Sequence, residues 1–454
     1  MRATRSAKEN GKIMLWQMKK ILQCHFPDLT DRLSSLDDPR KVMQYTIEEM
    51  VMAALVLFIL KSKSRNDFNL KSNEIHFQEN YYRIFRLNLP GMDAVNELLE
   101  KMEPHELEAL NCHFVSALIK KRVFHNSRFF GKYFYIAVDG SGAYNWGDTP
   151  PKEILPYALK RESSKGTVSY TGQILVAVLV CSNGMYIPFV TEWIANDGQK
   201  YEKQDCEMKA FKRLAAKLKE YFPKLNICIL ADGLYSNVTI MDICQQNGWK
   251  FITVFKDGNL PSVWEEVNSL LSISQNGCNR EQEQRSYPYW IKRNYQWIKD
   301  LPYQKHTIHW MECVQETTNS ETQEKKESRF VFLTNLDVNY KNVVDILMAG
   351  RARWWIEEHF NTLKNRGGAL HHKFNRKNFD ALKNWHSVRQ LACMMIQLLQ
   401  HTQELQLLKK QKGMKMTWQQ LWDDLCTLFK IHEIEEIIAE IDIWCSKKRQ
   451  VRLE

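Results

Sequence analysis

Two aspartates occupy near-identical positions in the sequence. The stretch YIAVDGSG carries Asp139 and CILADGLY carries Asp232, and in each a short apolar run leads to the acid and a glycine follows it. Such runs predict β-strands, and a carboxylate at the end of a strand lies at the sheet edge where open α/β sheets bind ligands. A strand that ends in Asp-Gly is most often a turn, so either aspartate alone leaves both interpretations open.

A third acid lies in RWWIEEHFNTLK, residues 353–364, which we predict to be one helix. At 100° per residue, one narrow face of about 80° carries the polar side chains of Arg353, Glu357, Asn361 and Lys364. The adjacent stripe is apolar and consists of Ile356, Phe360 and Leu363. The charged face therefore borders the buried face, whereas Glu358 points away from it.

Together, Asp139, Asp232 and Glu357 suit a pair of Mg²⁺ or Mn²⁺ ions, because hard cations prefer oxygen ligands. Two such ions about 3.5–4 Å apart can clamp the attacking and leaving oxygens of a phosphodiester displacement. Arg353 and Lys364 beside them would hold substrate phosphates. On the helix alone, an i,i+4 ion pair between Arg353 and Glu357, contributing about 0.2–0.5 kcal/mol, explains the charges equally well.

The charge balance favours a polyanionic partner. The formal net charge is +10 and the pI about 8.9, which favours nucleic acid but also fits a solvated basic surface. Between residues 351 and 377 only Glu357 and Glu358 oppose the basic residues Arg351, Arg353, Lys364, Arg366, Lys373, Arg376 and Lys377. Positive charge is thus concentrated around the third acid.

The cysteine pattern and the apolar runs indicate a cytoplasmic location. The 11 cysteines include no CxxC pair and no zinc-finger spacing, which favours a reducing compartment. The longest apolar run, Met50 to Leu60, is shorter than the roughly 20 residues that span a bilayer. It follows a capping-box spacing from Thr46 to Glu49 and predicts a buried helix. We expect no membrane association and no signal peptide.

Periodicity along the chain predicts an α/β fold with helical flanks. After residue 129 the order is strand, two hairpin strands, helix, strand, helix, strand, which is typical of a mixed sheet with antiparallel strands at one edge. The predicted units are a helical region 1–128, an α/β core in two parts at 129–270 and 337–400, a β insertion at 271–336, and a helical region 401–454. The second part of the core carries Glu357.

At these residues the sequence resembles the DDE transposases of bacterial insertion sequences, of the insertion-sequence-four type. In that family the third acid lies in a helix patterned Tyr, two residues, Arg, three residues, Glu, six residues, Lys. Arg353, Glu357 and Lys364 match this register, and Gly350 stands at the tyrosine position. The blocks DGSGAY, NDGQKYEKQDCEMKAFKRLA and ILADGLYSN are also similar, so the resemblance covers about residues 130–400.

The resemblance implies an RNase H-like catalytic domain with a β-strand insertion. It implies that Asp139, Asp232 and Glu357 are catalytic ligands of two Mg²⁺ or Mn²⁺ ions, and that Arg353 and Lys364 contact DNA. Asn361, on the same helix face, is expected to contact DNA with them. The N-terminal helices would bind element ends, and the C-terminal helices would assist a homodimer assembled on double-stranded DNA. The expected reaction is cut-and-paste transposition by strand cleavage, hairpin formation and strand transfer.

Hairpin chemistry would place a flipped base on an aromatic ring, and the resemblance makes Trp290, Trp297 and Trp310 candidates in the insertion. Nothing in the sequence chooses among them, and packing between strands is the favoured role for any one. Two other functions stay open: an RNase H-like nuclease without strand transfer, and a decayed copy that binds DNA without cutting. The glycine at position 350 keeps the second alternative open.

Several remaining charged residues are predicted to be structural. Asp205 and Glu207 lie near the start of a predicted helix, where acids favour the helix dipole, so capping is preferred over metal binding. The segment LKRESSKGTVSY is predicted to be a loop, and its Lys160, Arg161 and Lys165 would meet either a DNA backbone or water.

Overall fold

The computed structural model describes residues 2–163, 166–195, 203–273, 278–413, 416–447, 451 and 453, with the backbone alone for 2–6, 203–206, 412 and 444–447. In this part of the chain, ten strands form one mixed, open sheet with helices on both faces. The α/β class and the helical flanks predicted from periodicity are confirmed.

The region before residue 128 is helical, as predicted. Its helices are α1 (Arg2–His25), α2 (Leu29–Ser34), α3 (Ile47–Ile59), α4 (Arg65–Ser72), α5 (Phe77–Phe85), α6 (Met92–Lys101) and α7 (Pro104–Lys120), followed by a 3-10 turn (His125–Ser127). α3 begins at the predicted capping box, in which Thr46 and Glu49 each accept the other's backbone N–H. All its residues except Glu48 are buried, so this helix lies at the centre of the helical body.

Six strands build the centre of the sheet. They are β1 (Phe134–Trp146), β2 (Ala158–Glu162), β3 (Val168–Val180), β4 (Tyr186–Ile194), β5 (Ile227–Ala231) and β6 (Lys250–Val254). β3 is antiparallel to β1, β2 and β4, whereas β5 and β6 run parallel to β1. β3 and β4 form the predicted hairpin, and a 3-10 turn (Leu155–Tyr157) precedes β2.

The predicted loop LKRESSKGTVSY contributes to two strands. Its first residues lie in β2 and its last in β3, and the two strands pair with each other. Lys160 and Arg161 are exposed on β2, and Lys165 lies outside the described residues. The polar composition of this segment suits an edge strand that faces solvent on one side, and that composition led to the loop prediction.

Helices cover both faces of the sheet. α8 (Lys203–Tyr221) and α9 (Val238–Asn247) have the predicted bounds, and a 3-10 turn (Gly233–Tyr235) precedes α9. They pack with the face of β1 that carries Ile136 and Val138. On the opposite face, which carries Ala137, lie α11 (Val343–Ala352) and α12 (Trp355–Asn365). Helix α10 (Pro261–Ile273) was not predicted, and it ends the first part of the predicted core and extends to residue 273 of the predicted β insertion.

The predicted insertion consists of antiparallel strands, as expected. They are β7 (Cys278–Ser286), β8 (Tyr289–Tyr303), β9 (His306–Asn319) and β10 (Lys325–Thr334), paired in sequence order. β10 also pairs with β6, so the full order is β2-β3-β1-β5-β6-β10-β9-β8-β7, with β4 beside β3. The insertion therefore extends the main sheet, which brings its last strand underneath α11.

The C-terminal helices complete the helical body. They are α13 (Phe379–Gln400), α14 (Gln403–Lys412), α15 (Trp418–Ile431) and α16 (Glu435–Lys447). α13 is buried along most of its length and packs between β4 and the helices α3, α6 and α7, while α15 packs on α1. The two flanking helical regions therefore share one core. Within the described residues, no helix combines the length and apolarity needed to cross a membrane.

Candidate active site

Asp139 and Asp232 lie side by side on neighbouring parallel strands. β1 and β5 pair from Phe134 with Ile227 to Ala137 with Leu230, and the same offset continued by two residues aligns the two aspartates. Because side chains alternate along a strand, both acids fall on the face that carries Ala137, which is the face covered by α12. This adjacency joins the two motifs that the sequence presents separately.

One part of the prediction for Asp139 is wrong. Asp139 does not end its strand, because β1 continues to Trp146 through its pairing with β3. It lies instead where the parallel pairing with β5 stops. Asp232 directly follows β5, and its carboxylate accepts the backbone N–H of Leu234 at 2.9 Å in the turn beyond the strand. Asp139 accepts the N–H of Gly140, also at 2.9 Å.

The predicted single helix 353–364 is interrupted at its start. α11 ends at Ala352 and α12 begins at Trp355, so Arg353 occupies the junction between them. The two helices pack on different surfaces. α11 contacts Phe332 of β10 through Gly350, whereas α12 packs through the buried Ile356. Arg353 keeps helical backbone angles at the junction, so its side chain still reaches residue 357.

Arg353 connects two of the three acids. Its Nη1 lies 3.5 Å from Oδ2 of Asp139, and its Nη2 donates to Oε1 of Glu357 at 2.9 Å. The i,i+4 pair that the helix pattern allowed is therefore formed, and the same guanidinium also faces the sheet. The arginine thus ties α12 to the strand that carries the first aspartate.

The two adjacent glutamates of α12 face different surroundings. The stripe of Ile356, Phe360 and Leu363 is buried as predicted. Glu357 contacts Arg353, whereas Glu358 forms an ion pair with Arg366 and accepts the side-chain amide of Asn361 at 3.2 Å.

Asn361, predicted to share the face of Glu357, is held on the side of Glu358. It also accepts the side-chain amide of Asn365 at 2.9 Å. The structure therefore does not bring Asn361 to the acids.

The pKa of Asp139 shows that burial and the neighbouring acids outweigh the positive charge of Arg353. Burial raises the pKa of Asp139 to about 6; the Arg353 guanidinium and the Gly140 N–H lower it, while the nearby charges of Asp232 and Glu207 raise it further. Burial lowers the pKa of Lys364, and the charge of Asp139 opposes that effect. Lys364 therefore belongs to the same electrostatic environment as the first aspartate.

Glu207 is a fourth acid near Asp139, on the α8 side of β1, and its position was not predicted. It lies in the second turn of α8, is buried, and approaches the backbone of Gly140 so closely that a Cβ there would lie 3.1 Å from its Oε1. The side chain of Glu207 therefore faces the core rather than solvent, while the side chain of Asp205 lies outside the described residues. Glu207 shares the helical spacing of the buried Ala210, Phe211 and Leu214, and this signal would have indicated that it faces the core.

The donor chemistry fits a hard divalent cation. Asp139, Asp232 and Glu357 offer only carboxylate oxygens, which Mg²⁺ and Mn²⁺ prefer. In the part of the chain that is described, however, no three acidic, histidine or cysteine side chains converge closely enough to ligate one ion. The Arg353 guanidinium lies between the carboxylates of Asp139 and Glu357 and supplies the local positive charge.

The tryptophans of the insertion differ in their exposure. Trp297 and Trp310 are buried between strands, which confirms for them the favoured packing role. Trp290 is 44% exposed on β8, with the Arg285 guanidinium 5.7 Å from its ring centre. Of the three candidates, only Trp290 offers a ring face to a ligand.

No protein-family model matches the chain, and a search of curated proteins finds no significant match. Asp139, Asp232 and Glu357 supply the oxygen ligands that a hard cation prefers, and Arg353 and Lys364 supply the positive charge that a phosphate prefers.

Proposed function

We propose that this chain is a metal-dependent DNA transposase of the DDE type with an RNase H-like catalytic domain. The observation that carries the proposal is the convergence of Asp139, Asp232, Arg353 and Glu357 from two strands and a helix junction. Asp139 and Asp232 are distant in sequence from each other and from the Arg353–Glu357 pair, and that i,i+4 pair does not by itself require the two aspartates to be close to it. Their meeting at the end of a parallel strand pair supports a ligand site.

The sheet supports the RNase H-like part of the proposal. Its central order is β4-β3-β1-β5-β6, with an antiparallel hairpin on one side of β1 and two parallel strands on the other. This is the mixed sheet that the resemblance implies, and the strands from β7 to β10 occupy the place of the implied insertion. Asp139 lies on β1 and Asp232 directly follows the adjacent strand β5, which agrees with the proposed roles of the two acids.

In this proposal, Asp139, Asp232 and Glu357 would hold two Mg²⁺ or Mn²⁺ ions. When bound, the ions would supply an activated nucleophile and stabilise charge on the reacting phosphate. Arg353 neutralises Asp139 and Glu357 in the absence of ions, and it can pair instead with a phosphate of the substrate strand. Lys364, whose pKa is affected by the charge of Asp139, would contact the same DNA strand.

The partner in this proposal is double-stranded DNA, at the element ends and at the target. The net charge of +10 favours such a partner. Arg376 and Lys377 are exposed beyond α12 and would extend the phosphate-binding surface away from the acids. A homodimer assembled on DNA, with cut-and-paste chemistry, completes the proposal.

Cleavage of DNA that flanks the gene, in Mg²⁺ or Mn²⁺, tests the site. Asp232→Asn and Glu357→Gln should each lower the cleavage rate by more than about 10²-fold, because both remove a charged metal ligand. Glu358→Gln is the matched control on the same helix, since Glu358 pairs with Arg366 and Asn361. Equal cleavage by wild type, Glu357→Gln and Glu358→Gln would show that the acids are not catalytic.

The products of the same reaction distinguish transposition from simple cleavage. A transposase joins the freed 3′ end to a second DNA, whereas a nuclease leaves only cut fragments. We expect joined products on a supercoiled target, and their loss in Asp232→Asn. Cleavage without any joined product would assign the chain to the nuclease class, and end-specific binding without cleavage would assign it to a non-cutting DNA-binding protein.

A further inference from the structure

A second polar site lies on the other side of α12 from the acids. It is a cavity of about 1080 Å³ between α12, α13 and the end of α3. Five cationic residues line it, namely Lys61, Arg366, Arg389, Lys409 and Lys410, and the acid among its described lining residues is Glu358. The cavity is therefore strongly positive, whereas the site around Asp139 is negative.

Among these cations, Arg389 gives the strongest indication of an anion site, because it is buried and has no carboxylate partner among the described residues. It lies on α13 with 1% of its surface exposed. Its Nη1 lies 3.3 Å from Nδ1 of His386 and its Nη2 donates to the carbonyl of Ala369 at 3.4 Å, whereas its Nε has no partner among the described residues. No carboxylate in the described chain pairs with it. The rings of Phe58 and Phe374 lie 5.1 Å and 5.7 Å from the guanidinium and offset part of the cost of burying it. A buried charge without a carboxylate partner still favours the binding of an anion.

Lys61 adds a second cation that is largely withdrawn from water. It follows α3, and burial lowers its pKa to about 8; the charge of Asp423 opposes that effect and Arg366 adds to it. Gly367, with φ +98°, lies so close that a Cβ there would be 2.7 Å from the Lys61 side chain. The glycine therefore lets the loop after α12 close over the lysine and hold it at the cavity wall.

The rim of the cavity offers further groups that suit a nucleotide. Arg366 pairs with Glu358 at the end of α12 and keeps 57% of its side chain exposed. Trp355 and Trp418 also line the cavity, and Lys409 lies 4.4 Å from the ring centre of Trp418. Aromatic faces beside cations accept stacked bases of any type.

We infer that this cavity binds the phosphate group of a nucleotide, with Arg389, Lys61 and Arg366 as its anion ligands. The phosphate can belong to a free nucleotide or to the end of a nucleic-acid strand, since both present the same charge and the same adjoining base. The inference does not depend on the proposed strand chemistry, because none of these three cations contacts Asp139, Asp232 or Glu357.

Calorimetric titration with defined probes tests the inference. The probes are AMP, adenosine, and a short single-stranded oligonucleotide with either a 5′-phosphate or a 5′-hydroxyl, all in EDTA to keep divalent ions away. We expect AMP to bind and adenosine to bind at least about tenfold more weakly, because a charge-assisted phosphate contact is lost. If the 5′-phosphorylated strand binds more tightly than AMP, the phosphate belongs to a strand end. If AMP binds more tightly, the phosphate belongs to a free nucleotide.

Variants connect binding to the named residues. Arg366→Gln and Lys61→Met should each weaken AMP binding about tenfold, which corresponds to about 1.4 kcal/mol. Arg32→Gln is the control, since Arg32 also pairs with one acid, Asp28, and has a similar exposure of 49%. If Lys61→Met does not fold, Arg366→Gln decides. The inference is overturned if no phosphate probe binds at millimolar concentration, or if Arg366→Gln binds like wild type.

Discussion

Replacing Asp139 by asparagine should stabilise the protein at neutral pH in the absence of divalent ions. Burial and the neighbouring acids raise the pKa of Asp139 from 3.8 to about 6, although Arg353 partly opposes them. One pKa unit corresponds to about 1.36 kcal/mol, so ionised Asp139 destabilises the fold by roughly 3 kcal/mol. A quarter of the side chain is exposed to solvent, and screening reduces the expected gain for Asp139→Asn to about 1–2 kcal/mol.

The sign follows from proton binding. Between pH 3.8 and about 6 the folded protein holds a proton at Asp139 that the unfolded chain has lost, so stability falls as pH rises through this window. Above about pH 6 the penalty is complete, and below 3.8 it is absent. The gain from Asp139→Asn should therefore be full at pH 7.5 and fall to about half at pH 5.

Urea unfolding in EDTA measures this gain at both pH values. Asp148→Asn is the matched control, because Asp148 is exposed just beyond β1, and we expect it to change stability by less than about 0.5 kcal/mol. Added Mn²⁺ should stabilise wild type and have little effect on Asp139→Asn. If Asp139→Asn instead destabilises the metal-free protein at pH 7.5 by 1 kcal/mol or more, about the value of a structural ion pair, Asp139 serves mainly to hold Arg353.

Three further predictions concern other parts of the molecule. AMP binding at the cavity should weaken as pH rises through about 8, where Lys61 loses its proton, and calorimetry of Lys61→Met should show a flatter profile; identical profiles would remove Lys61 from the site. Gly350→Ala should cost about 1–3 kcal/mol in urea unfolding, because its Cβ would lie 2.7 Å from the Phe332 ring; Gly147, with open space around it, is the control, and equal effects at both glycines would refute the packing argument. Thr46→Ala should cost about 1 kcal/mol by loss of the α3 cap, and an unchanged unfolding midpoint would contradict it.

The elements that the sequence predicts well are those defined by local periodicity. α8 and α9 have the predicted bounds, and the β3–β4 hairpin turns at the predicted Ser-Asn-Gly. The signals for these elements lie within a few residues of one another, as in the alternation of a strand or the 3.6-residue period of a helix. The break between α11 and α12 has no such signal, because it arises from two packing surfaces that lie elsewhere in the fold.

The candidate site was predictable in its residues but not in its geometry. The acids and the Arg–Glu–Lys register can be read from the sequence, whereas the alignment of Asp139 with Asp232 depends on the register between β1 and β5. The approach of Glu207 depends on how α8 crosses the sheet, and local reasoning assigned it to a helix cap. The pairing of β10 with β6 likewise joins segments whose register no local pattern specifies.

Close packing explains the glycine at position 350. The motif that the sequence resembles has tyrosine at this position, whereas Gly350 is buried and lies directly against Phe332 of β10. A tyrosine at position 350 would require the Phe332 ring to move, because α11 packs so closely on β10 that the space for a tyrosine side chain is filled. The departure is therefore a consequence of close packing between α11 and β10, and it leaves Arg353 and Glu357 in contact.

The adjacent glutamates of α12 explain why one helix carries so much charge beside so much apolar surface. Residues 100° apart on a helix face different directions, so a helix that packs by one stripe can border a different site on each flank. Glu357 turns to Arg353 and the acids, while Glu358 turns to Arg366 and the cationic cavity. Because both sites depend on the seating of the same buried stripe, a substitution such as Phe360→Ala should weaken metal-dependent cleavage and AMP binding together, whereas Glu357→Gln should abolish only cleavage. Loss of AMP binding in Glu357→Gln would show that the two flanks are not independent.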